Sequence, residues 1–433
     1  MSWRCFAHLA CAAALAATGL AAGAAPLVLG VQTHVGYMPA RTDAAAFRAW
    51  MQRSRFGSAR DEMFWWDVET SGTLELQRGA LNSTRVWQSM PPPFAALLTL
   101  DFGHPGYDGG GQPQSPRARA AFARYAAFAV ARAQPQVQWA EVWNEWNLKS
   151  GARAEGGSNG GARDYVALAA ATYAELKAAH PGVQVLAGSA GDDIPGWPWM
   201  REALAHGLLS HADGVALHLY NHCTGAAAGS DELATRLDAM RALMSAAGKA
   251  QMPVFVTEVG WPTHKGACET AEPAAALHAL RFLLEASVRP WVAGVWFYEL
   301  QDGGDDAANP EHHFGLLRRD GTEKPAGCVL RELGALVAQR PVAHAAAGAL
   351  ATASFRIGST DRWLLWPRGR QGANVQLDAA GEGARFSPVA VCGLPSRIDA
   401  DASGRSATLR IAANGVQVID VPAGTRVTMR QLP

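Results

Sequence analysis

The sequence predicts a closed (β/α)8 TIM barrel over residues 25–340, followed by a small C-terminal β-sandwich over 341–433. Three observations carry this expectation. Short apolar runs alternate with longer helical patterns as far as about residue 340. The exits of those runs are rich in polar and aromatic residues, whereas their bodies are apolar. Beyond Pro341 the pattern changes to short alternating strands with turn residues between them.

Taken in order, residues 1–24 read as an export leader: Arg4, an Ala/Leu stretch, then Ala22-Gly23-Ala24 as a small-residue cleavage site. Gly19 and Gly23 thin the apolar run, which is too short for a membrane anchor. The expected protein is periplasmic or secreted, with no membrane association once the leader is removed.

Eight strand-length runs follow: Leu27–Val35, Ser58–Phe64, Phe94–Phe102, Val137–Asn144, Val183–Ser189, Gly214–Tyr220, Pro253–Val259 and Gly294–Leu300. Each has the composition of a strand buried on both faces in a parallel sheet. Between them lie amphipathic helices. Asp164–His180 carries Tyr165, Leu168, Ala169 and Leu176 on one face and stops at Pro181-Gly182; Ser230–Lys249 carries Leu233, Leu237, Met240 and Leu243. Eight such units fit a closed barrel. An open doubly wound sheet would bring a GxGxxG or phosphate loop, and none stands at a strand end.

In the tail, Ser354–Ile357, Trp363–Trp366, Ala407–Ile411 and Val416–Val421 read as strands, with Asn414-Gly415 as a hairpin turn. Ala407, Leu409 and Ile411 alternate with Thr408 and Arg410, so one face is wet. The Ala-rich stretch 343–352 reads as a linker or as a strand pairing back to the barrel.

Composition narrows the function. The 433 residues carry 38 Lys+Arg against 38 Asp+Glu and are 49% hydrophobic. That excludes a disordered chain and a basic nucleic-acid binder. Cys5 and Cys11 leave with the leader; Cys223, Cys268, Cys328 and Cys392 remain, with no CxxC pair. Cys223 and Cys268 each lie just beyond a strand end and are expected to be bridged. Cys328 and Cys392 read equally as buried free thiols. No cofactor or metal is expected: His218 and His222 fall on a strand exit, His312 and His313 are adjacent, and no GxSxG elbow occurs.

Chemistry collects at the strand exits, where a barrel of this type places active residues. Strand two carries Arg60-Asp61-Glu62, strand three Asp101-Phe102-Gly103, strand four Trp143-Asn144-Glu145-Trp146 and strand six His218-Leu219-Tyr220. Strand seven ends in Thr257-Glu258, and strand eight carries Trp296, Tyr298 and Glu299. Many donors and acceptors mixed with flat rings suit a carbohydrate, whose hydroxyls need partners and whose C–H faces stack on aromatics. Asp101, Trp146 and Tyr298 are read as substrate contacts, and Trp197 and Trp199 as further stacking candidates. Glu145 and Glu258 each end an apolar strand, where packing needs no carboxylate. Two carboxylates facing one bond are what glycosidic cleavage requires, one to protonate the leaving oxygen and one on the opposite face of the sugar. Arg60 is the candidate for keeping Glu258 charged.

On these motifs residues 27–340 resemble glycoside hydrolase clan A. Trp143-Asn144-Glu145 resembles its acid/base motif and Thr257-Glu258 its nucleophile motif. Asp101-Phe102-Gly103, Tyr107-Asp108-Gly109-Gly110 and Glu311-His312-His313-Phe314-Gly315-Leu316-Leu317 look most like family thirty-nine, in particular bacterial endoglycosidases acting on exopolysaccharide. The resemblance implies Glu145 as acid/base, Glu258 as nucleophile, Asn144 bonding the hydroxyl beside the reacting carbon, His218 and Tyr220 lining the catalytic subsite, and Trp296 as its aromatic floor. The residue after the acid/base glutamate, commonly proline in the clan, is Trp146 here. The expectation is a monomeric, retaining hydrolase of β-linked polysaccharide or oligosaccharide. Its rivals are a binding protein on the same barrel and a transglycosylase with the same residues.

Overall fold

Eight parallel strands, each followed by a helical segment, close on themselves in the computed structural model, which describes residues 18–19, 25–37, 44–70, 72–150, 160–224, 229–369, 371–394 and 397–432. The strands are β1 (Val28–Gln32), β2 (Ser58–Phe64), β3 (Ala95–Asp101), β4 (Val137–Val142), β5 (Gln184–Ala190), β6 (Gly214–Leu219), β7 (Val254–Val259) and β8 (Val292–Phe297). The principal helices are α1 (Ala44–Ser54), α2 (Arg78–Gln88), α3 (Pro116–Arg132), α4 (Ala162–Ala179), α5 (Pro198–Ala205), α6 (Ser230–Ala246) and α7 (Glu272–Ser287). The last unit closes with consecutive helical pieces over Pro325–Val329, Leu330–Gly334 and Ala335–Ala338. Each expected apolar run overlaps one of these strands, though β5 runs on to Ala190 and β8 begins two residues earlier, at Val292; β6 and β7 are buried along their whole length.

The barrel interior is packed, not hollow. Leu97, Leu186, Ala216, Phe255 and Trp296 fill its lower layer. The Trp296 indole lies against Gly30, where any side chain would collide with the ring, and its Nε1 donates to Ser58 Oγ at 2.9 Å. Helices register the strand exits through buried tyrosines. Tyr165 of α4 donates to Val142 O at 2.9 Å and accepts from Gly188 N at 2.7 Å; Tyr125 of α3 accepts from Asp101 N at 3.1 Å. The ends of β3, β4 and β5 are thereby fixed in height, and the site depends on that.

Cys223, after β6, and Cys268, after β7, are bridged, with Cα atoms 4.9 Å apart and a sequence separation of 45. Cys328 and Cys392 are also disulfide-bonded, which corrects the free-thiol reading. Closing a 45-residue loop restricts the unfolded chain. Replacing Cys223 and Cys268 together by Ser is expected to cost about 4 kcal/mol on the chain-entropy scale. Denaturant unfolding of variant and wild type checks this.

Residues Ala25–Gln339 form one compact unit and Arg340–Pro433 the body of a second. In the second, one sheet runs Thr18–Gly19, β9 (Ala343–Ala347), β10 (Leu350–Ile357), β11 (Thr360–Pro367), β14 (Gln417–Pro422) and Ser387–Pro388. The other runs Asp399–Ala400, β13 (Ser406–Ile411), β12 (Ala373–Ala380) and β15 (Arg426–Leu432). Leu365, Val375, Leu377, Leu409, Ile419, Val421 and Met429 form the core of this unit. Two expectations are corrected here. The 343–352 stretch pairs within this unit, β9 against β10. Asn414-Gly415 is not a hairpin turn, because β13 pairs with β12 while β14 pairs with β11, so the chain crosses between sheets. Of the expected leader only Thr18 and Gly19 lie within the described residues, paired with His344 and Ala343. No helix among the described residues is long and apolar enough to cross a membrane.

Candidate active site

The backbone leaves the extended region at the exit of β4. Trp143 and Glu145 have φ of 66° and 49°, left-handed values unusual for side chains of their size. Strain of this kind costs on the order of 1–3 kcal/mol and persists only where neighbours hold it. Here Trp143 N donates to Leu100 O at 2.9 Å and Glu145 N to Ser189 O at 3.0 Å. The Glu145 carboxylate is thereby turned over the barrel mouth. Gly191, after β5, leaves the room it needs, since a Cβ there would strike Glu145 Oε1.

Glu258 leaves β7 toward the same point. Its Oε1 pairs with Arg60 Nη1 at 2.7 Å, and its Oε2 accepts from the Tyr220 hydroxyl at 2.6 Å. Arg60 is completely buried and fully engaged. Its Nε donates to Glu141 at 2.7 Å, Nη1 also to Gln32 at 2.8 Å, and Nη2 to Asn144 Oδ1 at 3.0 Å. Because a guanidinium has no acceptor, the Asn144 oxygen must face it, which leaves the Asn144 amide donors for the cleft. His218 stands between the carboxylates: Nδ1 is 2.9 Å from Glu145 Oε1 and 3.6 Å from Glu258 Oε2, and Nε2 is 3.5 Å from Glu141. One polar atom from each of Glu145, His218 and Glu258 lies within 4.8 Å of the others.

The charge balance follows from these contacts. Burial works against ionised Glu141, yet Arg60 and the hydrogen bonds from His218 and Thr257 hold it well below the usual carboxylate range. Burial also opposes a charged His218, but Glu258, Glu141 and Glu145 outweigh it and push the imidazole up to about 10. Burial raises Glu258 against the pull of His218 and Arg60. Glu145 is held down by the His218 hydrogen bond in spite of burial. Glu141, Glu145 and Glu258 thus face two cations, Arg60 and His218, with one negative charge in excess. Two carboxylates this close favour taking up one proton between them. Arg60 can only donate, so Glu258 Oε1 cannot hold that proton, which leaves Glu258 Oε2 and the Glu145 carboxylate as the two places for it.

A raised histidine has a sign in stability. His218 stabilises the fold fully below its unfolded pKa of about 6.5, and that contribution is lost as pH rises through about 10. Between pH 7 and 10 the wild type should therefore lose more stability than His218→Asn, as read from denaturation midpoints at both pH values.

The cleft around these groups measures about 460 Å³ and is lined by His34, Glu62, Asn144, Glu145, Leu148, Asp192, Tyr220, His222, Glu258, Tyr298, Glu311 and Phe314. His34 is clamped between Glu62 and Glu299, 3.3 Å from each. Burial disfavours its charge, but the two carboxylates raise it well above the usual range. A larger hollow of about 600 Å³ lies around Asp302 and Lys324, but its cations are already matched: Lys324 with Asp302, Arg318 with Glu272, and Arg319 with Asp305. The two carboxylates at the strand-four and strand-seven exits converge in the cleft instead.

The structure gathers Glu145, Glu258, Asn144, Arg60, His218, Tyr220 and Tyr298 at this one place. Other sequence expectations are corrected. Trp296 is completely buried in the lower layer of the barrel, so Tyr298, two residues on, faces the cleft instead. Asp101 is fully buried, and burial together with Glu62 raises its pKa well above the carboxylate range. Trp146 is buried with its Nε1 donating to Gly160 O at 2.8 Å, and buried Trp197 donates to Arg236 O at 3.1 Å. Trp199, by contrast, is only half-buried where it packs on Tyr165, ring centroids 5.2 Å apart, and stays a stacking candidate. Glu141, His34 and Asp192 were not anticipated, and His222 was weighed only as a metal ligand. Glu62 and Glu311 stood inside quoted motifs without a role.

Two clusters among the described residues could offer three metal ligands, Glu145/His218/Glu258 and His34/Asp61/Glu62. In both, a protonated imidazole already supplies positive charge, and Arg60 adds a second cation in the first. The donors are committed to those partners.

Fold and site define a (β/α)8 barrel with a carboxylate pair, Glu145 half-buried and Glu258 buried, at the exits of strands four and seven. No family model matches the sequence, and no curated protein matches it. Among solved structures the chain is similar to a family 39 glycoside hydrolase from Bacteroides cellulosilyticus WH2, with 20% identity and a TM-score of 0.69 over 92% of this chain and 81% of that one. It is also similar to a GH39 enzyme from Xanthomonas axonopodis pv. citri, at 18% identity and TM-score 0.58, covering 94% of each chain. A third is a GH39 β-xylosidase from Caulobacter crescentus, at 16% identity and TM-score 0.60, covering 94% and 98%. At these identities the likeness is one of fold.

Proposed function

We propose that this protein is a retaining glycoside hydrolase that cleaves β-linked sugars by double displacement. The observation that carries the reading is the Glu145–His218–Glu258 cluster, in which one polar atom from each residue lies within 4.8 Å of the others at the mouth of the barrel. Retaining enzymes hold their carboxyl groups about 5–5.5 Å apart, whereas inverting ones need about 6.5–9.5 Å to admit a water. The known activities of the similar structures, family 39 glycoside hydrolases among them, point the same way.

In the first step a Glu258 oxygen bonds to the anomeric carbon while the glycosidic C–O bond breaks. The leaving oxygen takes the proton from Glu145, and a glycosyl ester on Glu258 results. In the second step Glu145, now a carboxylate, removes a proton from water; the water oxygen bonds to the anomeric carbon and Glu258 departs. Tyr220 and Arg60 hold the carboxylate of Glu258 in line, and Asn144 presents its amide donors to the neighbouring hydroxyl. Among the described residues the cleft lining carries no Lys or Arg and shows Glu62, Asp192 and Glu311 beside the catalytic pair. Such a field favours neutral sugars over uronic acids. The substrate is a β-linked polysaccharide met outside the cytoplasm, and the sequence resemblance favours a bacterial exopolysaccharide.

Reducing-end release from a panel of β-linked polysaccharides, bacterial exopolysaccharides included, tests this with wild type and Glu258→Gln in parallel. The expected result is release by the wild type alone, from neutral polymers and not from polyuronates. Equal release by both proteins would remove Glu258 from the mechanism.

A further inference from the structure

We infer that Phe64, Trp66 and Phe102 form a second sugar-binding subsite, one pyranose removed from the reacting bond, that stacks on the next residue of the chain. The inference rests on the glycosidase reading and extends it. Along β2 the side chains that point into the barrel climb in steps of two residues. Ser58 meets the buried Trp296, Arg60 holds Glu258, and Glu62 lines the catalytic cleft. Phe64 is the next step, about 7 Å further toward the mouth on the same face. That spacing is close to the length of one sugar unit.

Phe64 does not stand alone there. Its ring lies nearly parallel to Trp66, with centroids 5.3 Å apart and planes at 22°, and to Phe102 of the adjoining β3 exit, at 5.5 Å and 21°. Tyr37, after β1, packs at 4.1 Å and braces the group, with its hydroxyl accepting from Phe64 N at 3.0 Å. All three rings of the platform are only partly buried, in contrast to Trp65 beside them, which is completely buried. A cluster serving only the core would resemble Trp65. Partly exposed, mutually stacked rings one step above Glu62, which lines the cleft, suit the C–H face of a pyranose. The occupant is the neighbouring sugar of the same substrate chain, because Glu62 and Phe64 belong to one uninterrupted strand face. A subsite here would require at least two linked sugars on that side of the cut.

The probes are p-nitrophenyl β-glucoside, β-xyloside and β-mannoside, each paired with the p-nitrophenyl β-1,4-disaccharide of the same sugar. The readout is the ratio of kcat/KM for disaccharide over monosaccharide, which cancels a general loss of folded enzyme. For the sugar that the wild type accepts, the ratio is expected to exceed ten. In Trp66→Ala and in Phe102→Ala it should fall about tenfold, the size of one lost aromatic contact. A wild-type ratio near one, or variants that keep the wild-type ratio, would overturn the subsite and leave the glycosidase reading intact. Failure to release p-nitrophenol from all six probes, together with no reducing-end release from any polymer, would overturn that reading and the subsite with it.

Discussion

Glu145→Gln is expected to lower kcat roughly 10³-fold on glycosides with poor leaving groups and far less on 2,4-dinitrophenyl glycosides. The first group needs a proton on departure, and Gln cannot give one; the second leaves as a stable anion. The side chain occupies nearly the same volume, and the strained turn at φ 49° is held by backbone hydrogen bonds that Gln preserves, so the fold should be unaffected. Turnover of the activated substrate should also stall at the glycosyl ester, because deglycosylation still needs a base. A burst of dinitrophenol followed by slow steady release, followed in stopped flow, checks both points. Loss of activity in equal proportion on all leaving groups would place Glu145 outside proton transfer.

The second large effect concerns stability as well as rate. Arg60 and Glu141 are both completely buried and meet at 2.7 Å, and Arg60 also holds Glu258 and Asn144. Arg60→Met should destabilise the barrel by about 3–5 kcal/mol, because Glu141 is left as an uncompensated charge beneath the cleft. Adding Glu141→Met should restore much of that loss, since an apolar pair of similar volume removes the need for either charge. Activity should stay low in both, because Glu258 has lost the cation that holds it ionised. Denaturant midpoints and kcat/KM for the two variants test this. A double variant no more stable than Arg60→Met would show that the pair supplies more than mutual neutralisation.

The barrel was legible in the sequence because a strand buried on both faces must be written as an apolar run, and eight such runs leave few topologies. Glu145 and Glu258 were legible for the complementary reason: a carboxylate at the end of such a run has nothing to pack against. Height inside the barrel was not legible. Trp296 and Tyr298 point to the same interior, and a step of two residues, about 7 Å, separates a core residue from one in the cleft. Glu141 was hidden because it sits within β4, where Ala140-Glu141-Val142 resembles an alternating edge; only closure of the barrel brings it to Arg60 and Thr257. Trp146 failed as a substrate contact because the turn after Glu145 rolls its ring inward onto Gly160. Asn414-Gly415 favours a tight turn locally, but Ile411 and Ile419 both belong in one core, and the two-sheet packing carries the chain across instead.

The roles of the two carboxylates are tested most directly by azide. Azide added to Glu258→Gly should attack the face that Glu258 normally occupies and give the α-glycosyl azide from a β-linked activated substrate. Azide added to Glu145→Ala should attack the glycosyl ester from the opposite side and give the β-azide. Anomeric couplings in the proton NMR spectrum distinguish the two. An α-azide from Glu258→Gly and a β-azide from Glu145→Ala is the predicted result; the reverse assignment, or inverted product from the wild type, would contradict it.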